Sequence, residues 1–554
     1  MVITPLAGAL ILEILSKFDV DDHVKDSITL ISLALPVILL FTFASAYLEE
    51  PIIYEMGGWS RPYGITLVLD SFSAVMAFIV GAVTLSSFVY SLEVKSLLPK
   101  GDKYYFLFLF MTTGLYGVFL TGDIINRYIF FELTVLTSYV LLTYTGDKKA
   151  IRASFNYLVI GSVASFFFLV GIGLLYFYTG FLDFKALSGS VNTLSNGTRN
   201  VIFLFFLVAV GIKAGLVPFH TWLPDAHVSA PTPMTAVLAG VTVKTGAYII
   251  FKLFSIGFTT PFIRGSLLFI ASSTAFLGAF MSLKYYDIKK ILAWLTISQM
   301  GLITISISFW TTMSVASALM HIVNHSLFKT LLFLSMGALV YLQGERDIRR
   351  LDVMKSNILI SMAFIIGVLS IIGIPPFNGF YSKSLILTES RVNPFIFITI
   401  LTVQALTVAS IVRVFTFSSS SKSSGEDPVE NKINKKNKRL NESILVPLVV
   451  LAGLCVFIGA TSSIWMENIL VPSTHYITGI DVSGFIVPSL LDVLFTMEGA
   501  LVLISSGVGV LLSYKINSMD LSFLEGVISK VSVTDSVRWI IFAITIYIAL
   551  SLVV

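Results

Sequence analysis

The sequence has little cysteine and little charge, and each shortage excludes a class of protein. Cys455 is the single cysteine among 554 residues, so no disulfide can form within the chain. One thiolate also cannot supply a structural zinc site or an iron–sulfur cluster. We therefore expect no cofactor in this chain. If a redox reaction is involved, we expect its iron–sulfur or other redox centres only in partner subunits.

The scarcity of charge excludes an ordinary soluble protein. Charged residues make up 12% of the chain, whereas about 25% is usual in soluble globular domains. Hydrophobic residues make up 56%, and the mean hydropathy is +0.90. Apolar runs of about 20 residues, the length that crosses a bilayer core of roughly 30 Å, recur along the whole chain. The sequence therefore predicts an all-α polytopic membrane protein with about sixteen helices, among them spans at 291–309, 484–513 and 534–554.

Lysine and arginine in short loops predict the orientation, because these residues favour the cytoplasmic side. Basic residues follow the third and fifth predicted spans, at Lys95, Lys100 and Lys103 and at Lys148, Lys149 and Arg152. We place these loops in the cytoplasm of a prokaryote and the amino terminus outside its plasma membrane. The Ser- and Lys-rich segment 418–442 is then predicted to be a cytoplasmic linker, with a lipid-headgroup site as the alternative.

One stretch, Gly211–Tyr248, combines buried charge with a broken helix. It carries Lys213, breaks at Pro218 and Pro224, and resumes around Lys244. A charge near the bilayer centre costs roughly 2.5–3.5 kcal/mol, and non-helical backbone at that depth persists only inside protein or beside a wet cavity. The stretch therefore predicts part of an ion path. Its other polar candidates, considered auxiliary, are His220, Asp225 and His227.

Glu132 lies near the middle of an otherwise apolar predicted helix, which makes it a site candidate. A structural ion pair between helices is the alternative. Lys213 is the expected compensating cation, because a contact that forms and breaks would change the proton affinity of the lysine. Lys244 provides a second buried amine that could receive or release the proton.

His321, His325 and Lys329 follow one another at intervals of four residues, so they line one face of a single helix. Histidines inside a membrane can be structural hydrogen-bonding groups. We favour a hydrated proton relay, because the three form a ladder in an apolar helix. No metal site is predicted, since no third ligand is evident and Lys329 would repel a cation.

A second helix is predicted to break at Pro375 and Pro376, with Lys383 about two turns beyond. This break matches the first in a G-x-x-P-F pattern, Gly215 to Phe219 and Gly373 to Phe377. A weaker echo relates Ala150–Arg152 to Asp287–Lys289. Internal symmetry with an interrupted helix in each half predicts two inverted repeats whose sites lie near the membrane midplane.

These features predict a division of the chain into five parts. They are N-terminal transmembrane helices at 1–100, a first repeat at 101–256, a second repeat at 257–417, the charged linker at 418–442, and C-terminal transmembrane helices at 443–554.

Four stretches between about residues 55 and 415 resemble one known family. They are FFELTVLTSY, KAGLVPFHTWLPDAHVSAPTPMTAVLAGVTVKTGAY, HIVNHSLFKTLLFL and GIPPFNGFYSKSLIL. The family is that of the proton-conducting antiporter-like subunits of respiratory complex I and its relatives. Within it, TGDIINRYIFFEL and the lysine after GIPPFNGFYS look most like the D-type subunit of Mrp sodium/proton antiporters. That subunit also occurs in archaeal membrane-bound hydrogenase and sulfane reductase complexes.

The resemblance implies a role for each matching position. It implies a Glu132–Lys213 pair in one half-channel, Lys244 as the connecting lysine, His321, His325 and Lys329 on a central hydrophilic axis, and Lys383 in the far half-channel. Arg127 stands where the family pattern suggests an uncharged residue, and Glu498 near the carboxyl end has no evident partner. The implied partners are other membrane subunits of an Mrp-like module and a peripheral redox module, not nucleic acid.

The expected function is proton translocation within a multisubunit respiratory or antiporter complex, with or without exchange for sodium. A partner's redox reaction or an opposing ion gradient would drive it. The chain itself is expected to be non-catalytic, although its complex is expected to be an oxidoreductase. The alternatives are a membrane subunit of a complex I-type quinone oxidoreductase and a scaffold that carries the family's charges without transport.

Overall fold

A computed structural model of the chain describes residues 1–18, 20–94, 103–354, 356–420, 442–479 and 486–517. Within these ranges, thirteen helices are long and apolar enough to cross a membrane. The predicted all-α multi-pass membrane fold is therefore confirmed. The predicted span 534–554 and most of the predicted linker, residues 421–441, lie outside the described residues.

The N-terminal part contains five helices and one short antiparallel hairpin. The elements are α1 Ile3–Leu15, α2 Asp22–Thr42, α3 Ala44–Glu49, β1 Ile52–Glu55, β2 Thr66–Leu69, α4 Ser71–Val94 and α5 Lys103–Leu120. In the hairpin, Ile52 lies opposite Leu69 and Glu55 lies opposite Thr66. The hairpin lies next to the membrane face where α4 begins.

The next thirteen helices contain the predicted site residues. The first seven are α6 Ile124–Leu142, α7 Lys148–Thr179, α8 Phe184–Ser190, α9 Asn196–Ala214, α10 Trp222–Ser229, α11 Thr232–Val237 and α12 Lys244–Ser255. The following six are α13 Pro261–Ser282, α14 Ile288–Phe309, α15 Thr312–Gln343, α16 Ile358–Ile372, α17 Gly379–Glu389 and α18 Pro394–Ser420. Aspartates cap several of these helices by accepting hydrogen bonds from backbone N–H groups of the first turn, as Asp123 does for α6 and Asp287 for α14.

The C-terminal part packs against the central helices. Its elements are α19 Glu442–Ala460, α20 Ser462–Trp465, α21 Val471–Thr478, α22 Leu490–Phe495 and α23 Met497–Asn517. The sequence predicted one span at 484–513, but the chain leaves the helical conformation at Thr496, between α22 and α23. Glu498 therefore lies in the first turn of a helix rather than within a continuous span.

Both predicted helix breaks are present. Helix α9 ends at Gly215 with φ +68°, and α16 ends at Gly373 with φ +80°. A left-handed residue of this kind ends a helix, and glycine adopts it without a Cβ clash. Pro218, Pro375 and Pro376 lie in the non-helical segments that follow.

Pro224 does not break a helix, contrary to the prediction. It lies in the first turn of α10, where the backbone N–H that proline lacks would have no intrahelical partner. The chain in this stretch is non-helical between α9 and α10, around Pro218, and again at Ala230 and Pro231, between α10 and α11.

The loops after α7 and α15 are each paired with the residue that precedes another helix. Asp123 pairs with Asp183 in an isolated antiparallel bridge, and Asp287 pairs with Asp347 in another. In both bridges the second aspartate follows the first at the same distance along the chain. This spacing matches Asp287 with Asp123, rather than with Ala150 as the sequence echo suggested.

The core of the molecule is formed by α11, α12, α14 and α15. The spans Thr232–Ser255 and Ile288–Phe309 are buried along their whole apolar windows. Helix α7, in contrast, carries exposed aromatic side chains such as Phe155, Phe166 and Phe177, as expected for a lipid-facing helix. The helices with the central polar residues are therefore the most enclosed ones.

Candidate functional site

The first helix break places Lys213 in a closed aromatic pocket. Lys213 lies in the last turn of α9, and its Nζ donates a hydrogen bond to the Tyr157 hydroxyl at 3.0 Å. The same Nζ lies 4.7 Å from the centre of the Phe131 ring, a distance that favours a cation–π contact. The Tyr157 ring stacks on Trp222, with centroids 4.1 Å apart and planes at 10°. The break therefore holds the lysine by neutral groups.

Glu132 lies near this pocket without touching the lysine. It is half-buried on α6, and its Oε1 accepts a hydrogen bond from the Ser165 hydroxyl on α7. Among the described residues, no carboxylate lies within 4.0 Å of the Lys213 amine, although Glu132 is its electrostatic neighbour. Glu132 and Lys213 are therefore not in direct contact in this structure. The hydrogen-bond partner of Lys213 is Tyr157 instead.

Lys244 is fully buried at the start of α12, the helix that packs against α9. A π-helical segment, Leu238–Thr242, precedes it, and its Nζ donates to the Ala239 carbonyl within that segment. Such segments leave backbone groups available and are frequent at functional sites. A Cβ on Gly246 would lie 2.9 Å from the backbone nitrogen of Ala214, so α12 approaches α9 closely beside both lysines.

The polar ladder on α15 is fully buried. The His321 and His325 rings lie 6.2 Å apart and are nearly parallel, at 15°. His321 contacts Ser382 Oγ through Nδ1 at 3.0 Å and Gln299 Oε1 through Nε2 at 3.1 Å. Neither ring nitrogen of His325 has a partner in the described part of the chain. Lys329 Nζ donates to the Leu292 carbonyl at 2.9 Å.

The ladder of His321, His325 and Lys329 is electrostatically coupled to Lys244 near the first break and to Lys383 at the second. The charged groups that act on His325 are Lys244, Lys329 and Lys383. Lys244 in turn has Lys329 as its charged neighbour. The three lysines are therefore electrostatically coupled to one imidazole that has no hydrogen-bond partner among the described residues, and a proton on one of them affects the proton affinity of its neighbours.

The second helix break holds Lys383 by backbone and amide oxygens. Its Nζ donates to the Ile371 carbonyl at the end of α16 and to Gln404 Oε1 at 2.8 Å. Gln404 also donates to the Ile372 carbonyl and to the Ser506 hydroxyl. Helix α17 is joined to α15 as well, because Asn324 donates to the Asn378 carbonyl at 2.6 Å and to Ser382 at 3.1 Å. Hydrogen bonds therefore connect the second break to α18 and α23 on one side and to α15 on the other.

The three auxiliary candidates have different environments. His227 is fully buried with both ring nitrogens unpartnered among the described residues, and its charged neighbours are Lys329, Lys244 and Lys289. His220 is partly buried, with its ring 5.3 Å from that of Trp294. Asp225 is exposed on α10. The fold thus brings His227 to the polar interior and leaves Asp225 outside it.

Sequence reasoning missed several polar partners. Lys289 is buried and donates to the Ala230 carbonyl at 3.0 Å; it precedes the predicted span 291–309 and stands next to Lys290, so no local pattern identifies it as buried. Glu498 pairs with Arg391 across α23 and the end of α17. Four neutral side chains form hydrogen bonds with Lys213, His321 or Lys383, and no spacing in the sequence indicates these contacts. They are Tyr157, Gln299, Ser382 and Gln404.

Comparisons with known proteins identify the family of the chain. The family described as NADH:quinone oxidoreductase/Mrp antiporter, TM, matches residues 121–407. The chain belongs to this family. The matched segment runs from the residues just before α6 into α18, and it includes the seven predicted ion-path residues and both helix breaks.

Two curated relatives extend the match beyond this segment. The D-type subunit of a Na(+)/H(+) antiporter of Alkalihalophilus pseudofirmus is 30% identical over 432 residues, which cover 76% of this chain and 86% of the relative. A putative antiporter subunit of Staphylococcus aureus is 35% identical over 418 residues, which cover 73% of this chain and 82% of the relative. The predicted resemblance to D-type subunits is confirmed.

Two solved structures share the fold. A chain of the membrane-bound sulfane sulfur reductase, an archaeal respiratory membrane complex, superposes with a TM-score of 0.78 and 26% identity, covering 86% of this chain and 96% of that one. A chain of the Mrp complex from Dietzia sp. gives a TM-score of 0.77 at 21% identity, with 86% and 97% covered. The second likeness concerns the fold alone.

Proposed function

We propose that this chain is a proton-translocating membrane subunit of a multisubunit complex, in which protons move along buried amines and imidazoles between the two helix breaks. The observation that carries this proposal is the burial of four lysines, Lys213, Lys244, Lys329 and Lys383, none of which has a carboxylate within 4.0 Å among the described residues. A buried amine without a counter-ion gains and loses its proton readily as neighbouring charges change. A structural role would instead favour stable ion pairs.

The proton would enter or leave at each break and cross the centre through α15. At the first break, Glu132 would exchange the Ser165 hydroxyl for Lys213 and so raise the affinity of the amine for a proton. Lys244, His325 and Lys329 would pass the charge across the most enclosed helices. At the second break, Lys383 would exchange it with the opposite side. Each amine repels its charged neighbour, so a proton arriving at one favours release from the next.

Two inverted repeats at 101–256 and 257–417 are part of this proposal. The two left-handed glycines that end α9 and α16 and the two equally spaced aspartate bridges support it. Inverted repeats would direct one break towards each membrane face, as alternating access requires. The remaining parts would be the N-terminal helices at 1–100, the linker at 418–442 and the C-terminal helices at 443–554.

The chain would act in the plasma membrane of a prokaryote, with its amino terminus outside. Its partners would be other membrane subunits of an Mrp-like module and a peripheral module that holds any iron–sulfur centres. Relatives named as sodium/proton antiporter subunits support exchange of protons for sodium by the complex. The structural likeness to a chain of an archaeal respiratory complex supports a redox-driven assembly as the alternative source of energy.

Proton movement in membrane vesicles tests the proposal. The assembled complex would carry Lys213→Ala or Glu132→Gln in this chain, and a pH-sensitive dye would report acidification during sodium exchange or partner turnover. We expect Lys213→Ala to reduce proton movement about 100-fold, the scale of one positioned proton-transfer group. Lys284→Ala, at the membrane-face end of α13, is the matched control and should keep wild-type movement.

The outcome also separates the alternatives. Wild-type coupling in both Lys213→Ala and Glu132→Gln would contradict the proton path and favour a scaffold. Slower electron transfer by the assembled complex in these variants, with proton movement per electron unchanged, would instead favour a role in the oxidoreductase reaction.

A further inference from the structure

A polar cavity outside the proposed proton path lies where α5 and α12 end and α4 and α6 begin. Its volume is about 440 Å³, and its wall contains four cationic side chains, those of Arg61, Arg127, Lys185 and Lys252, and one carboxylate, that of Asp70. A water molecule occupies about 30 Å³ in the liquid, so the cavity has room for a polyatomic ion. The ends of these helices mark one membrane face, so the cavity lies near the depth of the lipid headgroups.

Arg127 is the most enclosed of these cations. Its side chain is 1% exposed, and its guanidinium lies 4.3 Å from the ring centre of Phe184 and 5.1 Å from that of Tyr248. One nitrogen, Nη2, donates to the Thr121 carbonyl at 2.5 Å. The other two, Nε and Nη1, have no hydrogen-bond partner in the described part of the chain. Arg127 lines the cavity, and two of its buried nitrogens have no acceptor among the described residues.

Asp123 and Asp70 act on Arg127 electrostatically, but neither forms a direct ion pair with it. Lys252 pairs with Asp70 at 3.8 Å, and Arg61 pairs with Asp183 at 3.4 Å. Asp123 uses its side chain to cap α6 by accepting from the Asn126 backbone at 2.8 Å. Over the described ranges, no carboxylate lies within 4.0 Å of the Arg127 guanidinium. A buried cation without a counter-ion is unfavourable, and a bound anion removes that penalty.

We propose that this cavity binds a phosphate-type oxyanion, with Arg127 as the central ligand. A guanidinium presents a planar fork of donors that matches two oxygens of a tetrahedral phosphate, and a phosphate group forms stronger hydrogen bonds with it than a neutral acceptor does. Lys185, on the exposed side of the wall, adds a positive charge at the entrance. The phosphate is either that of an anionic phospholipid headgroup or a free inorganic phosphate. The site does not depend on the proposed proton path.

Ligand binding to the full-length chain in its complex tests this site. One arm measures binding of radiolabelled inorganic phosphate by equilibrium dialysis. The other measures phosphatidylglycerol that stays bound to the complex after transfer from phosphatidylglycerol nanodiscs into detergent, by native mass spectrometry. The variants are Arg127→Gln, which removes the central charge, and Ser188→Glu, which adds a carboxylate at an exposed position of the wall and so spares the packing.

Matched controls make the same charge changes on the same membrane face away from the cavity. Arg199→Gln removes a half-buried guanidinium, and Thr193→Glu adds a carboxylate at an exposed site near the end of α8. We expect both cavity variants to weaken binding at least about tenfold, because Arg127→Gln removes a charged hydrogen-bond donor and Ser188→Glu adds a carboxylate that repels the anion. The controls should stay within about twofold of the wild type, well below that loss.

Each result decides the proposal. Saturable phosphate binding that the cavity variants weaken identifies a site for free phosphate, and retained phosphatidylglycerol that they release identifies a headgroup site. If neither ligand binds to the wild-type complex, or if Ser188→Glu binds as well as Thr193→Glu, the cavity is not a phosphate site. Because binding is measured without transport, this result is independent of whether protons move through the chain.

Discussion

The two helix breaks share a backbone design but differ in what holds their lysines. In each, a left-handed glycine ends a helix and proline follows, beside a buried lysine. Lys213 has one hydroxyl partner and aromatic faces, with the carboxylate of Glu132 nearby. Lys383 has a backbone carbonyl and the Gln404 amide, with no carboxylate within 4.0 Å among the described residues.

On the proposed function, this difference would give the two breaks different tasks. A lysine with one neutral partner and a nearby carboxylate can change contacts, so the first break is suited to control of proton uptake. A lysine fixed by two oxygens from α16 and α18 keeps its position, so the second break is suited to passing protons on. On the proposed function, we infer that the event that drives transport acts on Glu132, because this carboxylate must exchange its contact with Ser165 for one with Lys213.

The largest expected effect concerns what the breaks have in common. Lys383→Ala should reduce proton movement in vesicles about 100-fold, as expected for Lys213→Ala, because each removes the amine that transfers the proton at its break. Acidification measured with a pH-sensitive dye checks this result. If Lys383→Ala kept more than half of the wild-type rate while Lys284→Ala did too, the second break would not be part of the path.

A carboxylate introduced at the second break should slow transport. Gln404→Glu would place an ionised group against Lys383 at the present 2.8 Å contact, and an ion pair in a low-dielectric site holds the proton more firmly. We expect proton movement about tenfold slower, which corresponds to about 1.4 kcal/mol. Gln404→Met, which removes the acceptor without adding charge, is the control and should be affected less. Equal rates in the two variants would show that charge at this position does not matter.

Loss of the phenol at the first break should have a smaller effect. Tyr157→Phe keeps the stacking on Trp222 but removes the hydroxyl that accepts from Lys213. One neutral hydrogen bond contributes about 1 kcal/mol, so we expect a change of about fivefold or less in the rate of proton movement. Tyr139→Phe, on the neighbouring ring that contacts Tyr157 edge-on, is the control. A 100-fold loss in Tyr157→Phe would make the phenol itself a required carrier.

The smallest expected effect is on stability and concerns the two terminating glycines. Alanine at Gly215 or Gly373 would be strained at positive φ by about 1–2 kcal/mol. Its Cβ would meet Leu223 at 2.6 Å in the first case and Lys383 at 3.2 Å in the second. Thermal unfolding in detergent should therefore show a larger loss for Gly215→Ala. Gly180→Ala has the same strain without a contact within 4 Å and is the control. An equal loss in all three variants would exclude a packing role.

Much of the fold follows from local sequence features. The predicted span 291–309 corresponds to the helix Ile288–Phe309, because a long apolar run and a capping aspartate define a helix without reference to the rest of the chain. The glycine and proline signals likewise located both breaks. Pro224 was misjudged because a proline in a first turn is compatible with a helix.

The contacts within the site could be predicted only in part. Burial of the lysines and histidines follows from their position in apolar helices. Their neutral partners do not follow from the sequence, since Ser382 reaches His321 and Gln404 reaches Lys383 only through the tertiary packing of α15, α17 and α18. The Arg391–Glu498 pair joins residues 107 apart in sequence, and no local pattern relates them. The sequence likewise could not tell that Tyr157, rather than Glu132, contacts Lys213.

The most direct test of the account is the ratio of protons moved to sodium ions exchanged or partner turnovers completed in vesicles that contain Lys329→Ala. Lys329 is fully buried on α15, between the two breaks, and its only hydrogen bond in the described structure is to a backbone carbonyl. The account predicts a loss of coupled proton movement of about 100-fold in a complex that assembles normally. A wild-type ratio in this variant would contradict it.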